Sequence, residues 1–470
     1  GTGTINDVAK YISHRMHIPY IIVGTAPSMD GYTSGGSALI VKHLKTTYQV
    51  LPPRAVVADI DIMKNAPMGM ISAGLGDLLG KYTCLCDWKI SHIINQEYYC
   101  ERVVNLVRQS VDRCVRDISG LKNRRVDAVK NLTEGLVLSG IAMSFVGNSR
   151  PASGSEHHLS HFWEMMSLLN QKMPVLHGTK VGIGTLAISR IYHRLLKQQI
   201  DFEHALQRVR QFRKQAWTDE INRIYQKASP GIIVMEEKAG KNNLDQHYHR
   251  FQMIRTKWDE IITVIREWMP AAETIKEILK ELQAPVNPVQ IGIDADMVYK
   301  ALLYGKEIRN RYTVLQLLWD LGLLEDYARD TSDYLLSLSY ETESDLLKSR
   351  QLLEKVKCFI LDMDGTFYLG NRLIPGSLSF LEQVKASGKD FYFFTNNSSK
   401  NALFYQKKLA KMGCIVNEKA ILTSNQVMMG YIKKKHPQAA VYLLGTNLLR
   451  DDFVRSGIQI VEEKPDLVVV

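Results

Sequence analysis

The chain has 470 residues, 45% of them apolar and 23% charged, and carries a net charge of +10. This is the composition of a globular protein of about three domains, not of a disordered or fibrous one. No uncharged apolar run is long enough to span a bilayer and no signal-peptide pattern opens the chain, so no membrane span is expected.

The six cysteines, Cys84, Cys86, Cys100, Cys114, Cys358 and Cys414, are scattered and are expected to stay reduced in an intracellular, cytoplasmic protein. Cys84 and Cys86 could form a metal pair, but no second pair accompanies them, and core packing is the expected role. The positive balance suits anionic partners. Zinc-finger, aromatic RNA-binding and long basic-arm patterns are lacking, so nucleic acid is not expected, and small phosphorylated molecules explain the charge better. The chain begins GTGTIND without a methionine and ends KPDLVVV inside a strand-like run, so a fragment of a longer protein is expected.

In chain order, GTGTIND is a glycine-rich turn leading into helical spacing, with Ile5, Val8, Ala9 and Ile12 on one face. Amides at such a turn can cradle a pyrophosphate. Residues 20–23 read as a buried strand. It ends in the polar loop GTAPSMDGY, where α/β folds bind ligands. Residues 38–41 and 48–50 read as a strand pair, and 55–59 as a strand after a Pro-Pro break. From Pro67 the pattern turns helical. Pro67 suits position N1 of a helix carrying Asp77. Helical spacing then runs through 97–118, 123–147, 156–171, 180–197, 203–227, 247–267, 270–282 and 312–340. Residues 341–356 read as a charged linker helix. A second α/β pattern follows: a strand running into DMDGT, another at 390–394 ending in TNNS, and further strands at 441–444 and 467–470.

Within the helical part, GSEHHLSHFWE packs His157, His158 and His161 together. His157 and His161 share a helical face. Asp77 in AGLGDLLGK lies upstream and His177 in PVLHGTKVGIG downstream. Asp, His and His suffice to hold a catalytic ion with an open position for substrate. Taken alone, each could be an ordinary surface or loop residue. Phe162, Trp163, Met165 and Met166 are expected to pack the core.

The stretches GTGTIND, TAPSMDGYTS, ISAGLGDLLGK, RPASGSEHHLSH and the HG of LHGTKVGIG occur in one order. Through them, residues 1 to about 340 resemble the sn-glycerol-1-phosphate dehydrogenases of the iron-containing alcohol dehydrogenase and glycerol dehydrogenase superfamily. The resemblance implies an α/β nucleotide-binding portion, residues 1–66, and an all-α metal-binding domain, residues 67–340. It implies that Gly3, Thr4, Ile5, Asn6 and Asp7 meet the pyrophosphate of NAD or NADP. Thr25, Ala26, Pro27, Ser28 and Ser34 would touch the cofactor, and Asp30 the substrate. Asp77, His157 and His177 would hold zinc or nickel, iron remaining open, with Asp77 touching substrate as well. His161 would face the substrate, and His158 is the alternative ligand. The implied reaction interconverts dihydroxyacetone phosphate and sn-glycerol 1-phosphate. Lys81, Arg150 and Lys180 are candidates for the substrate phosphate by proximity to the motifs. A homodimer is expected.

DMDGT and TNNS resemble the haloacid dehalogenase-like phosphatases with a large cap. The resemblance implies that residues 357–470 are a partial α/β Rossmannoid domain, with 420–470 opening the cap. Asp362 would be the nucleophile, Asp364 the acid, and both would hold Mg2+. Thr395 and Asn396 would hold the phosphoryl group. The remaining motifs are expected beyond Val470, and with them most of the phosphatase activity. A hydrolase of small phosphorylated metabolites is therefore the alternative function, and a non-catalytic scaffold a third.

Overall fold

The computed structural model describes residues 3–41, 44–170, 175–338, 352–395 and 400–469. The chain divides into two compact units, Gly1–Tyr340 and Glu341–Val470.

The first unit opens with helix α1 (Thr4–Met16) behind Gly3, whose φ of 55° suits glycine. Strand β1 (Ile21–Gly24) pairs in parallel with β4 (Ala55–Ala58), while β2 (Gly36–Val41) and β3 (Leu44–Gln49) form an antiparallel pair between them in sequence. The expected apolar face of α1 is turned outward: Ile5 is 67% and Ile12 49% exposed, while Asn6 and Lys10 are buried. The reason is hydrogen bonding. Asn6 Nδ2 and Lys10 Nζ donate to the carbonyl of Gly31, and Lys10 also reaches Ser34 Oγ (2.8 Å) and Gly36 O (3.2 Å). Buried carbonyls need such donors.

After the short α2 (Ile60–Met63) comes α3 (Met68–Asn95), a 28-residue helix. Pro67 is its N-cap, one position before the expected N1. Every residue from Ile71 to Trp88 is buried. Helices α4 (Glu101–Val115), α5 (Ile118–Lys122), α6 (Val126–Val146), α7 (Ser155–Leu169) and α8 (His177–Leu195) follow, and α3 touches α4, α6, α7 and α8. A helix wrapped this way shows no one-sided apolar stripe.

Glycines set how close α3 and α8 come. A Cβ on Gly178 would run into the carbonyl of Ala73, and one on Gly76 into that of Gly178. Gly178→Ala is therefore expected to cost ~1–3 kcal/mol of stability. A thermal melt unchanged by the substitution would contradict this contact.

The remaining helices are α9 (Phe202–Arg210), α10 (Lys214–Tyr225), α11 (Ser229–Ala239), α12 (Leu244–Thr256), α13 (Trp258–Trp268), α14 (Ala272–Glu281), α15 (Ala295–Tyr304), α16 (Val314–Asp320) and α17 (Leu324–Ser337). The expected single helices at 203–227, 247–267 and 312–340 are each broken in two, and α11 and α15 are additions. Pro230 begins α11 at a first-turn position rather than ending a helix.

In the second unit β5 (Cys358–Asp362) leads to the small pair β6 (Tyr368–Leu369) and β7 (Arg372–Leu373). Strands β8 (Asp390–Thr395) and β9 (Ile421–Thr423) complete a parallel sheet in the order β5-β8-β9. Residues 421–423 thus belong to this sheet, not to a separate cap. Strands β10 (Val441–Leu443) and β11 (Leu467–Val469) form their own parallel pair. The expected linker helix lies mostly outside the described residues, apart from helical residues 352–355. No helix among the described residues is long and apolar enough to cross a membrane.

Candidate active site

The site is built where α3, α7 and α8 meet. Asp87, on α3, fixes the start of α7: it accepts from Ser155 N (2.7 Å), Ser155 Oγ (2.7 Å) and Tyr192 OH (2.6 Å). It also accepts from Val314 N at 2.7 Å. Burial lifts its carboxyl to about 6 against the pull of those donors.

The first turn of α7 carries His157. Glu156 Oε1 lies 2.6 Å from His157 Nδ1, and the same carboxylate accepts from Gly154 N (2.7 Å) and from Thr83 Oγ1. An acceptor fixed at Nδ1 places the ring proton there and leaves the Nε2 lone pair free. Nε2 faces Asp77 Oδ1 at 3.5 Å. His177 is the first residue of α8, its ring 5.1 Å from that of His157. One ligand atom each from Asp77, His157 and His177 lie within 4.8 Å of one another. The close packing of α3 on α8 brings the first and last of these together.

Asp77 is fully buried. Its Oδ2 accepts from Asp30 N (2.9 Å), and Lys81 Nζ stands 3.0 Å from its Oδ1. Lys81 also meets Asp30 Oδ2 (2.7 Å) and Ala152 O (3.0 Å), and Ser139 Oγ donates to Asp30 Oδ2 (2.8 Å). Burial would push the Asp77 carboxyl up. The Lys81 ammonium outweighs it, helped by the His157 and His177 imidazoles beside it, and holds the carboxyl well below the usual range. Asp30 and Asp77 face the one ammonium of Lys81, while Glu156 faces His157. The two carboxylates beside His157 favour a proton on its imidazole. With the imidazoles in the neutral form that a metal ligand requires, three carboxylates against one ammonium leave two excess negative charges in a buried cluster. A divalent cation among Asp77, His157 and His177 offsets them, so the donor set fits such an ion in both chemistry and charge.

His161 lies on the same side, its ring 5.9 Å from His157 and 5.6 Å from His177. Its Nδ1 is 3.3 Å from Glu164, and its Nε2 accepts from Arg309 Nη2 at 3.3 Å. His158 is buried elsewhere and is not in the gathered set. Burial, then Lys241, Arg309 and Arg311, hold its imidazole well below the usual range, in the neutral form. The two stretches expected to hold a cofactor are neighbours: Asn6 on α1 bonds Gly31, and Ser37 Oγ donates to Asp7 O (2.7 Å). Gly3, Thr4, Ile5 and Asp7 form the first turn of α1 and its cap. Ala26, Pro27 and Ser28 are buried, Thr25 is exposed, and Ser34 Oγ accepts from Lys10.

The three expected phosphate cations are already engaged. Lys81 bridges two aspartates, Arg150 pairs with Glu97 (Nε–Oε1 2.6 Å), and Lys180 donates to Val175 O (2.9 Å). The orienting roles of Glu156, Asp87 and Lys81 went unread in the sequence, as did Arg309. Glu156 had a signal: a carboxylate adjacent to a candidate ligand histidine at a helix start.

In the second unit Asp362 ends β5 beside the parallel β8, which ends in the buried Thr395. Thr366 Oγ1 donates to Asp362 Oδ2 (3.2 Å), and Lys408 Nζ is 3.9 Å from Asp364 Oδ1. Asn396 lies outside the described residues.

Two families match the chain. Iron-containing alcohol dehydrogenase matches residues 1–67, and haloacid dehalogenase-like hydrolase matches residues 359–459. The glycerol-1-phosphate dehydrogenase (NAD(P)+) of Bacillus licheniformis is 33% identical over 69% of this chain and 68% of its own length. That of Geobacillus thermodenitrificans is 35% identical over 69% and 72%. Among solved structures, a 4-nitrophenylphosphatase from Thermotoga maritima is 47% identical over 25% of this chain and 45% of its own, with a TM-score of 0.24. The chain thus spans less than half of that phosphatase. A probable glycerol dehydrogenase from Sinorhizobium meliloti is 14% identical over 71% and 75%, with a TM-score of 0.44. With about a third of the aligned residues identical along more than two thirds of each of these two dehydrogenases, the chain belongs to the glycerol-1-phosphate dehydrogenase family, and it carries a haloacid dehalogenase-like region later in its sequence.

Proposed function

We propose that the protein is a metal-dependent, NAD(P)-dependent dehydrogenase that interconverts dihydroxyacetone phosphate and sn-glycerol 1-phosphate. The convergence of Asp77, His157 and His177 carries this reading. When bound, zinc or nickel supplies Lewis acidity at the substrate oxygens, and the nicotinamide supplies or takes the hydride. Asp77, His157 and His177 would hold the ion, with Glu156 keeping the His157 proton on Nδ1. Asp30 would hydrogen-bond a substrate hydroxyl, its carboxylate held in place by Lys81 and Ser139. His161 would exchange the hydroxyl proton, a task suited to an imidazole. Gly3 to Asp7, at the start of α1, would receive the cofactor pyrophosphate on main-chain amides. Thr25 to Ser28 and Ser34 would complete the cofactor wall.

The test is oxidation of NADH or NADPH by dihydroxyacetone phosphate with the full-length protein. Activity is expected that a chelator abolishes and zinc or nickel restores. Failure of the metal-loaded protein to oxidise either cofactor would reject the function.

A second reading concerns the region that follows the dehydrogenase part in sequence. The adjacent parallel strand ends carrying Asp362 and Thr395 support a phosphoryl-transfer site. There Asp362 would attack phosphorus and form an aspartyl phosphate, and Asp364 would protonate the leaving oxygen. Thr395 would hold the phosphoryl group, with Mg2+ as counter-ion.

A further inference from the structure

The segment between α15 and α16 crosses the face of the site that carries His161. It contains Lys306, Glu307, Arg309, Arg311 and Tyr312, and its backbone is tied down by buried charged groups. Lys241 Nζ donates to the carbonyls of Lys306 (2.5 Å) and Arg309 (3.0 Å). Arg150 Nη1 donates to Tyr312 O (2.9 Å), and Asp87 takes the amide of Val314. Burying such groups is costly, so these bonds hold the strap in one position.

The strap presents two guanidinium groups. Arg309 Nη2 meets His161 Nε2, a neutral acceptor. Arg311 Nη1 donates to Ser153 O (2.8 Å) and Nη2 to Ser149 Oγ (2.6 Å), both just before the histidine stretch. Among the described residues neither guanidinium forms an ion pair. Glu97, the acidic group that most favours the charge on Arg311, is already paired with Arg150. A guanidinium has five N–H donors in a planar fork, and Arg309 spends one of them on protein among the described residues. Burial depresses both groups, Arg311 to about 9. One side of the site is thus an anionic cluster around Asp77. The other, a single imidazole away, is a pair of arginines whose nearby carboxylates are engaged elsewhere, Glu164 beside His161 and Glu97 with Arg150.

We propose that Arg309, backed by Arg311, is the subsite for the phosphate of the substrate. This rests on the reading of the site as one for a phosphorylated ketone. The polarity of the two sides then sets the orientation: carbonyl and hydroxyl oxygens toward Asp77, the dianion toward Arg309. The planar fork matches two phosphate oxygens at once, which an ammonium cannot do.

The test uses the metal-loaded full-length protein with Arg309→Gln and Arg309→Lys, and inorganic phosphate as the probe. Calorimetric phosphate binding is expected to weaken about 100-fold in Arg309→Gln, the scale of removing one partner of a buried charge contact. The Arg309→Lys variant is expected to fall between, since it keeps the charge and loses the fork. In turnover, KM for dihydroxyacetone phosphate is expected to rise far more than kcat falls. The preference for that substrate over dihydroxyacetone is expected to collapse. Unaltered phosphate affinity in both variants would overturn the subsite, whatever the activity of the parent. A parent that binds phosphate through Arg309 yet never oxidises reduced cofactor would overturn the dehydrogenase reading and leave the subsite standing. If Arg309→Gln does not fold, Arg309→Lys decides by the same affinity measurement.

Discussion

His157→Ala is expected to release the metal ion and to lower kcat/KM for dihydroxyacetone phosphate by at least ~10^3-fold. Lewis-acid stabilisation is worth several kcal/mol, and about 4 kcal/mol is a thousandfold in rate. Three features make the loss large. His157 contributes one of three converging ligand atoms. It is 4% exposed, so no solvent-borne group replaces it. Its removal also leaves the Glu156 carboxylate without the partner at 2.6 Å that it holds inside the protein. Glu156→Gln should give a milder version, about 10–100-fold, because the ligand remains but is less basic and less firmly aimed. Metal equivalents per chain, measured alongside kinetics, decide the matter. An alanine variant that retains one full equivalent would remove His157 from the ligand set.

Glu307→Gln is expected to destabilise the dehydrogenase part by ~3 kcal/mol at neutral pH. Burial would raise this carboxyl, but Lys306 and Lys241 outweigh it and bring it from 4.5 down to about 2, a displacement worth ~3 kcal/mol. The sign follows from proton counting. The unfolded chain binds the proton more tightly, so the contribution is complete above pH 4.5 and is lost as pH falls toward 2. The gap between parent and variant in urea unfolding should therefore be wide at pH 7 and narrow steadily below 4.5. A gap that stayed constant on acidification would show that the charge of Glu307 is not what stabilises. Glu307 also accepts from Trp217 (3.1 Å) and Asn242 (3.0 Å), so the variant should loosen the strap that carries Arg309.

The parts of the site that lie in compact motifs were readable before the fold. Asp77, His157 and His177 stood out because ligand chemistry restricts residue type and helical spacing restricts placement. The proposed role of Arg309 and Arg311 was not readable, because it depends on which charges lie near them in space, and no spacing rule encodes that. Lys81, Arg150 and Lys180 looked equally suitable until their neighbours were known. Helix α1 shows the same limit from the packing side. Periodicity assumes that the apolar face turns inward, but here Asn6 and Lys10 face in to serve the carbonyls of the 31–36 loop. The extra helix α11 went unread although its proline lies in the first turn, a position that accepts proline.

The glycine-lined contact between α3 and α8 bears on how such a site can evolve. The distance from Asp77 to His177 is set by main chain pressing on main chain at Gly76 and Gly178. Side chains can be resized one methylene at a time, but backbone thickness has no intermediate values. Mutations in the surrounding core can therefore drift in small steps while the ligand separation stays constant. A change at either glycine alters that separation in a single jump. Metal preference in this lineage would then be adjusted through the groups around the ligands rather than through their spacing.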